Sequence, residues 1–486
     1  MNKDYANRIL KLIDKSPTAF HVVENAKSIL DAEGFTGLAE AEVWKLKAGG
    51  KYYVTRNDSS IIAFTIPGKD YKGFRIIAGH SDSPCPKLKE NCELDKNGYI
   101  RLNVEKYGGM ILAPWFDRPL SVAGRILVRD ENEASGIRSV LVNLDKNVAV
   151  IPSLAIHMNR DVNSGYSYSF QKDMLPIVST SGSSDKTIGS SEKEICSSEK
   201  AICSSEKEFR NSIMSLIAEA SGVNVDSILG NDLFLYIREE GKIWGINDEF
   251  IGSSRLDDQE CVWCTLDGFI DSIKEASDYS DENSEEIYDE ISGAISNKNS
   301  DEASNVTSEY IKMLCIFDNE EVGSRTKQGA DSNFLENLIS RINDNLGRSR
   351  EDYYTAYASS FMISADNAHA LHPAHTDKYD PVQSPKINEG IVLKFSARQS
   401  YTTDAVSAAF VKKLCKDAGI PYQIFVNHSD EPGGSTLGNI SNSHVSINTA
   451  DIGLPQLAMH SAYETAGVED LDSLRIFAET FFTDSI

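Results

Sequence analysis

Phe74-Arg-Ile-Ile-Ala-Gly-His80-Ser-Asp82-Ser-Pro84 is an apolar run that passes without a linker into a histidine and a carboxylate. A short run rich in Ile and Phe beside glycine reads as a buried strand. The polar cluster then sits at the strand's carboxyl end. Met313-Leu-Cys-Ile-Phe317, Phe361-Met-Ile-Ser364 and Gln456-Leu-Ala-Met459 repeat the pattern. They deliver Asp318-Asn-Glu320-Glu321-Val-Gly-Ser324, Ala365-Asp366-Asn-Ala-His369 and His460-Ser461. A fifth cluster, Ser254-Arg-Leu-Asp257-Asp258, precedes a helical stretch through Trp263 and Leu266. Strand-like runs alternating with helical patterns predict an α/β fold. In open α/β sheets sites form at the carboxyl ends of strands.

Taken singly, each cluster has an ordinary reading: a histidine after a strand is commonly a hydrogen-bonded structural residue, and Glu320-Glu321 is a plausible helix start. Packing alone gives no reason for strands to end repeatedly in His, Asp and Glu. Metal chemistry does. Two neutral imidazoles and three carboxylates, from His80, His460, Asp257, Glu321 and Asp366, set against two dications leave a small net positive charge, enough to acidify a water. Imidazole with carboxylate favours Zn²⁺, with Co²⁺ or Mn²⁺ as substitutes. Asp82 is placed two residues on to accept the other ring N–H of His80. Glu320, beside Glu321, is placed to act as general base.

The chain has 486 residues, 41% of them hydrophobic, and a net charge of −25. The length is a prior for about three domains. The sign of the charge excludes a nucleic-acid or anionic-membrane binder, whose affinity comes from Lys and Arg on phosphates. No apolar run approaches the ~18 residues of a membrane span, and Met1 to Val23 has no signal-peptide core. The expectation is a cytoplasmic protein. Eight cysteines are too sparse for a disulfide framework, and Cys261-Val-Trp-Cys264 has no second pair to complete a zinc site, so buried helix cysteines are expected there.

Two segments differ in composition from the rest. Residues 179–207 are rich in Ser, Lys and Glu and carry a seven-residue repeat, Ser190-Ser-Glu-Lys-Glu-Ile-Cys196 followed by Ser197-Ser-Glu-Lys-Ala-Ile-Cys203. With too few apolar positions for a coiled coil, they read as a mobile insertion. Residues 275–309 hold eleven acidic residues against one basic, Lys298. They read as a solvated surface insertion, part of it helical from Ile287, Ile291 and Ile295.

The set His80-x-Asp82, Arg255-Leu-Asp257, Asp318-Asn-Glu-Glu-Val-Gly-Ser324, Asp366-x-Ala-His369 and Met459-His460 resembles the aspartyl aminopeptidase family of dinuclear zinc exopeptidases, which includes vacuolar aminopeptidase I. Ser16-Pro-Thr-Ala-Phe-His21, Pro114-Trp-Phe-Asp-Arg118, Leu154-Ala-Ile-His157-Met-Asn-Arg160, Gln171-Lys-Asp-Met-Leu-Pro176 and Gly434-Ser-Thr-Leu-Gly438 extend the resemblance over most of the chain. It implies two zinc ions per chain. One would be held by His80 and Asp366, the other by Glu321 and His460, with Asp257 bridging, Glu320 as base and Asp82 orienting. It implies substrate contacts at His369, Lys394 and Tyr401, with Lys394 pairing an acidic side chain of a peptide substrate, and at His157 reaching a neighbouring subunit. It also implies homo-oligomers in which dimers build a tetrahedral dodecamer. One departure is Asp258, where the family usually has Asn.

The implied architecture is a discontinuous catalytic domain, residues 1–90 and 246–486, with a mixed sheet flanked by helices. An inserted β-rich dimerisation domain over 91–245 interrupts it. The implied function is removal of N-terminal residues from peptides, with Asp/Glu preference. A neutral-preferring member of the family, a dinuclear amidohydrolase or carboxypeptidase, and a non-catalytic carrier on the same fold are the alternatives. The carrier reading has the difficulty that clustered carboxylates without metal repel one another. No Walker pattern and no G-x-S-x-G elbow appears, which argues against nucleotide binding and serine hydrolysis.

Overall fold

A computed structural model describes residues 2–181, 212–290 and 309–484. Its largest sheet has nine strands, taken in spatial order as Thr36–Leu38, Lys51–Arg56, Ser60–Thr65, Tyr310–Phe317, Gly73–His80, Phe361–Ala365, Asn448–Gly453, Ile391–Phe395 and Tyr422–Val426. The four strands Tyr310–Phe317, Gly73–His80, Phe361–Ala365 and Asn448–Gly453 are mutually parallel neighbours. Antiparallel pairs occur on either side of them, so the sheet is mixed, as expected from the α/β reading.

The sequence explains the layering. Successive side chains of a strand point to opposite faces, and both faces here are apolar. Ile77, Leu314, Ile316 and Ile363 join one buried cluster, with helices Lys3–Asp14, Ala19–Ala32 and Val468–Thr483. Ile76, Ala78, Met313, Cys315 and Met362 join the other, with helix Phe334–Asn345. Helix ends carry matching local signals. Asp404 and Ser407 form a reciprocal capping box at the start of Ala405–Ala418, and Gly419 ends that helix in the left-handed conformation.

A second, six-stranded antiparallel sheet is built from strands between Cys85 and Ile237, in the order Ile137–Asn143, Leu120–Arg129, Ile228–Ile237, Cys85–Lys96, Tyr99–Tyr107 and Ile177–Thr180. It has its own core around Leu102, Val122, Leu233 and Leu235. Arg125 links the two sheets, with Nη1 donating to the Asn57 carbonyl at 2.8 Å and Nη2 lying 3.0 Å from Asp232.

Three of the four strands read from the sequence are present. The fourth is a correction. Only Pro455–Gln456 is extended in pairing with Ala368–His369, and the large sheet instead takes Asn448–Gly453. Ala458 and His460 have φ of 59° and 64°. That left-handed backbone cannot continue a strand. Cys261 and Cys264 are free, fully buried and helical, as expected. Helix Leu256–Glu290 extends into the acidic segment. Residues 291–308 of that segment, and the serine-rich repeat at 190–207, lie outside the described residues.

Candidate active site

Parallel strands side by side place their carboxyl ends along one edge, and the chemistry collects there. His80 is the last residue of Gly73–His80, Asp366 follows Phe361–Ala365, and Asp318 follows Tyr310–Phe317. After Asp318 the chain turns through Asn319, whose φ is 63°, into the short helical turn Glu320–Val322. Asn is among the few residues that enter this region readily. Helix Leu256–Glu290 begins with Asp257 and Asp258 out of helical conformation, joined by a cis peptide.

Five residues separated by up to 380 positions come together (His80 to His460). His80 Nε2 lies 3.5 Å from Asp257 Oδ1 and 3.9 Å from Asp366 Oδ1. His460 Nε2 lies 3.4 Å from Asp257 Oδ2 and 3.5 Å from Glu321 Oε2. Asp257 therefore offers one oxygen to each histidine. Asp257 Oδ1 and Glu321 Oε1 are buried without a hydrogen-bond partner within the protein. Orphaned buried carboxylate oxygens are costly, and nitrogen and oxygen atoms 3.4–3.9 Å apart match neighbouring ligands about 2.0–2.2 Å from a zinc ion. The residues fit the metal group.

Without a cation the cluster's electrostatics are strained. Burial disfavours the charged imidazolium of His80, but the carboxylates of Asp257, Asp366 and Asp82 outweigh it and push the ring's affinity for protons well up. For His460 burial again opposes charge, and Asp257 with Glu321 raises the ring to about 10. Burial pushes the Glu320 carboxyl up to about 8; His80 opposes this, and Asp366 and Asp82 reinforce it. Glu320 stands with His80 and Glu321 in one group of potential ligand atoms within 4.8 Å of one another.

Asp82 is where the reading of the sequence changes in detail. Its carbonyl is 3.1 Å from His80 Nδ1 and its carboxylate 3.4 Å away, so the main chain is the nearer acceptor. The carboxylate accepts the N–H groups of Glu320 at 3.1 Å and Glu321 at 3.2 Å, and the Tyr107 hydroxyl at 2.6 Å. Asp258 Oδ2 accepts the His80 N–H at 3.1 Å.

The substrate residues read from the resemblance are placed unevenly. His369 is half-buried, and burial, then the Lys394 ammonium, lowers its affinity for protons. Lys394 is buried. It is 2% exposed, and Nζ donates to the carbonyls of Asp366 at 2.8 Å and Asn367 at 3.1 Å. The ammonium is held inside, 5.3 Å from the buried Tyr401 ring. His157 lies in an exposed loop of the second-sheet unit, between exposed Ile156 and Met158.

Three partners of the cluster escaped the sequence reading. Gly109 presents its carbonyl 3.2 Å from His460 Nδ1, Tyr107 engages Asp82, and Glu464 is buried and accepts the main-chain N–H groups of Asp257 and His460. Glu464 alone had a signal, a carboxylate inside the apolar-flanked stretch Ala462-Tyr-Glu-Thr-Ala466.

Among the described residues no helix is long and apolar enough to cross a membrane. The family model described as aminopeptidase I zinc metalloprotease (M18) matches residues 12–290 and 282–482. A probable M18 family aminopeptidase 2 of Clostridium acetobutylicum is 44% identical over 471 residues, covering 96% of each chain. Among solved structures, mApe1 of Chaetomium thermophilum superposes with a TM-score of 0.77 at 29% identity, over 99% of this chain and 98% of that one. The S. cerevisiae mApe1 dodecamer gives 0.75 at 28%, over 99% and 96%. The matched length, the mixed α/β fold and the buried His/Asp/Glu cluster agree, and the chain belongs to the M18 family of zinc metalloprotease aminopeptidases.

Proposed function

We propose that this chain is a two-zinc aminopeptidase in which His80 and Asp366 hold one ion, Glu321 and His460 the other, and Asp257 bridges them. The observation that carries the reading is the placement of the two Asp257 oxygens, one 3.5 Å from His80 and the other 3.4 Å from His460. Bound zinc would supply Lewis-acid charge that acidifies a water and polarises the scissile carbonyl. Glu320, half-buried beside His80 and Glu321, takes the proton from the attacking water and returns it to the departing amine nitrogen. Asp82 fixes the Glu320-Glu321 main chain, and Gly109 fixes the tautomer of His460. Co²⁺ or Mn²⁺ would suit the same donors.

For the residue removed, the acidic preference rests on Lys394, and the engagement of its ammonium by two carbonyls favours the neutral-preferring reading instead. The exposed Leu154, Ile156 and Met158 around His157 support homo-oligomeric assembly through the second-sheet unit. In that reading residues 91–245 form a dimerisation domain inserted between catalytic segments 1–90 and 246–486, the dimers build a dodecamer, and His157 serves the neighbouring subunit.

The test is metal content beside Glu- and Leu-aminoacyl hydrolysis in wild type and Glu320→Gln. Two zinc per chain, with hydrolysis lost and metal kept in the variant, is expected. Hydrolysis of amino-blocked peptides at the rate of free ones would overturn the aminopeptidase mechanism. Absence of hydrolysis after supplying Zn²⁺, Co²⁺ or Mn²⁺ would favour the carrier.

A further inference from the structure

Glu464 is 1% exposed and sits at the start of strand Glu464–Gly467, paired antiparallel with Phe250–Ser253 so that Glu464 faces Ser253. Its own chain reaches back four residues to His460, and its strand partner runs forward four residues to Asp257. One carboxylate closes both loops. Oε2 accepts the Asp257 N–H at 3.1 Å and Oε1 accepts the His460 N–H at 2.7 Å. Each loop contains a residue in the left-handed region, Arg255 at φ 64° and His460 at φ 64°. Neither loop can therefore hand its N–H to an extended ladder. Without an acceptor, the Asp257 N–H would be buried and unpaired, and the half-buried His460 N–H would lose its partner within the protein.

We propose that Glu464 is a positioning residue that sets the spacing between the bridging carboxylate and the second histidine, and so the geometry of the site shared by the two ions. The inference rests on the two-zinc reading above. The two main chains it holds carry Asp257 Oδ2 and His460 Nε2, which stand 3.4 Å apart. A carboxylate suits this task because it offers two acceptor oxygens and no donor, so both N–H groups are met at once. An amide of the same shape keeps one acceptor and turns an NH₂ towards the other N–H. Groups that orient metal ligands from behind typically change metal affinity by about 10–100-fold when altered.

The experiment compares wild type, Glu464→Gln and Glu464→Asp as full-length protein. Zinc affinity is measured against a chromogenic chelator, the visible spectrum is recorded after loading with Co²⁺, and thermal melting is followed on the metal-free protein. The expected result for Glu464→Gln is at least tenfold weaker binding of one or more ions and an altered cobalt spectrum, with metal-free melting within a few degrees of wild type. Glu464→Asp, too short to span both amides, serves if the amide variant fails to fold, and is expected to alter the spectrum in the same sense. Wild-type binding of two ions with affinities within twofold and unchanged spectra in the folded variants would overturn the positioning role alone. Failure of the wild type to bind two ions would overturn the two-zinc reading as well.

Discussion

Tyr107 Oη donates to Asp82 Oδ2 at 2.6 Å and accepts from Asn319 Nδ2 at 2.9 Å, so a residue at the end of a second-sheet strand grips two residues on the active edge of the first sheet. Tyr107→Phe removes the hydroxyl and leaves Asp82 with fewer donors. A lost hydrogen bond to a charged group costs about 1.5–3 kcal/mol. Lower thermal stability by that amount and a fall in kcat/KM of about tenfold are expected, checked by melting and steady-state kinetics. An unchanged kcat/KM would show that the grip is purely structural.

Gly453 ends the strand beside Asp366, and a Cβ there would lie 1.7 Å from the Asp366 carbonyl oxygen. Gly453→Ala must push that main chain away, and overpacking of this kind costs about 1–3 kcal/mol or more. The variant is expected to lose activity and zinc affinity together. Metal titration of the folded fraction checks it.

Asp258 stands where the family usually has Asn, and its Oδ2 holds the His80 N–H. An amide oxygen can accept the same bond. Asp258→Asn should therefore keep the fold and the metal, with a melting temperature within a few degrees of wild type. Loss of bound metal would instead assign the second carboxylate a direct part in holding an ion.

Lys394→Met tests whether that residue selects a charged substrate or holds the main chain beside Asp366. With its ammonium on the carbonyls of Asp366 and Asn367, the variant should lose hydrolysis of Glu-, Asp- and Leu-substrates to a similar extent. A loss confined to acidic substrates in a panel of the three would restore the pairing with a substrate carboxylate.

His21 supplies a pH dependence away from the cluster. Its Nδ1 lies 2.8 Å from Thr18 Oγ1, and burial, then the nearby Arg255 guanidinium, lowers its pKa to about 4 from an ordinary 6.5. The unfolded chain therefore binds the extra proton between those values. Stability falls as pH drops from 6.5 towards 4, by up to about 3 kcal/mol from this group. Denaturant midpoints of wild type and His21→Gln across that range should converge towards low pH. Parallel curves would show that His21 binds its proton equally well in the folded and unfolded chain.

How much was visible in the sequence follows from what each residue does. His80, Asp366 and Glu321 were legible because an apolar run ending in a ligand-type side chain is a one-dimensional pattern. Asp257 and His460 needed the joint set to stand out, and His460 was attached to the wrong strand because a left-handed φ leaves no trace in hydropathy. The burial of Lys394 was legible in its setting, Ile391-Val-Leu-Lys-Phe395, which is that of a buried strand. Gly109 acts through a carbonyl, which every residue has, and Tyr107 acts through a hydroxyl whose partner lies in another sheet. Neither pairing has a sequence signature.

The parallel strands ending at His80, Phe317 and Ala365 lie side by side, and hydrogen-bonded strands repeat at about 4.8 Å. The sheet is thus a ruler on which donor groups are marked off. A ruler of this kind tolerates change in one direction only. Segments joining the strands can lengthen without moving the marks, whereas a one-residue deletion inside Gly73–His80 would turn His80 to the opposite face. Insertions should be accepted between the marked strands, and single-residue gaps within them should be absent from any active variant.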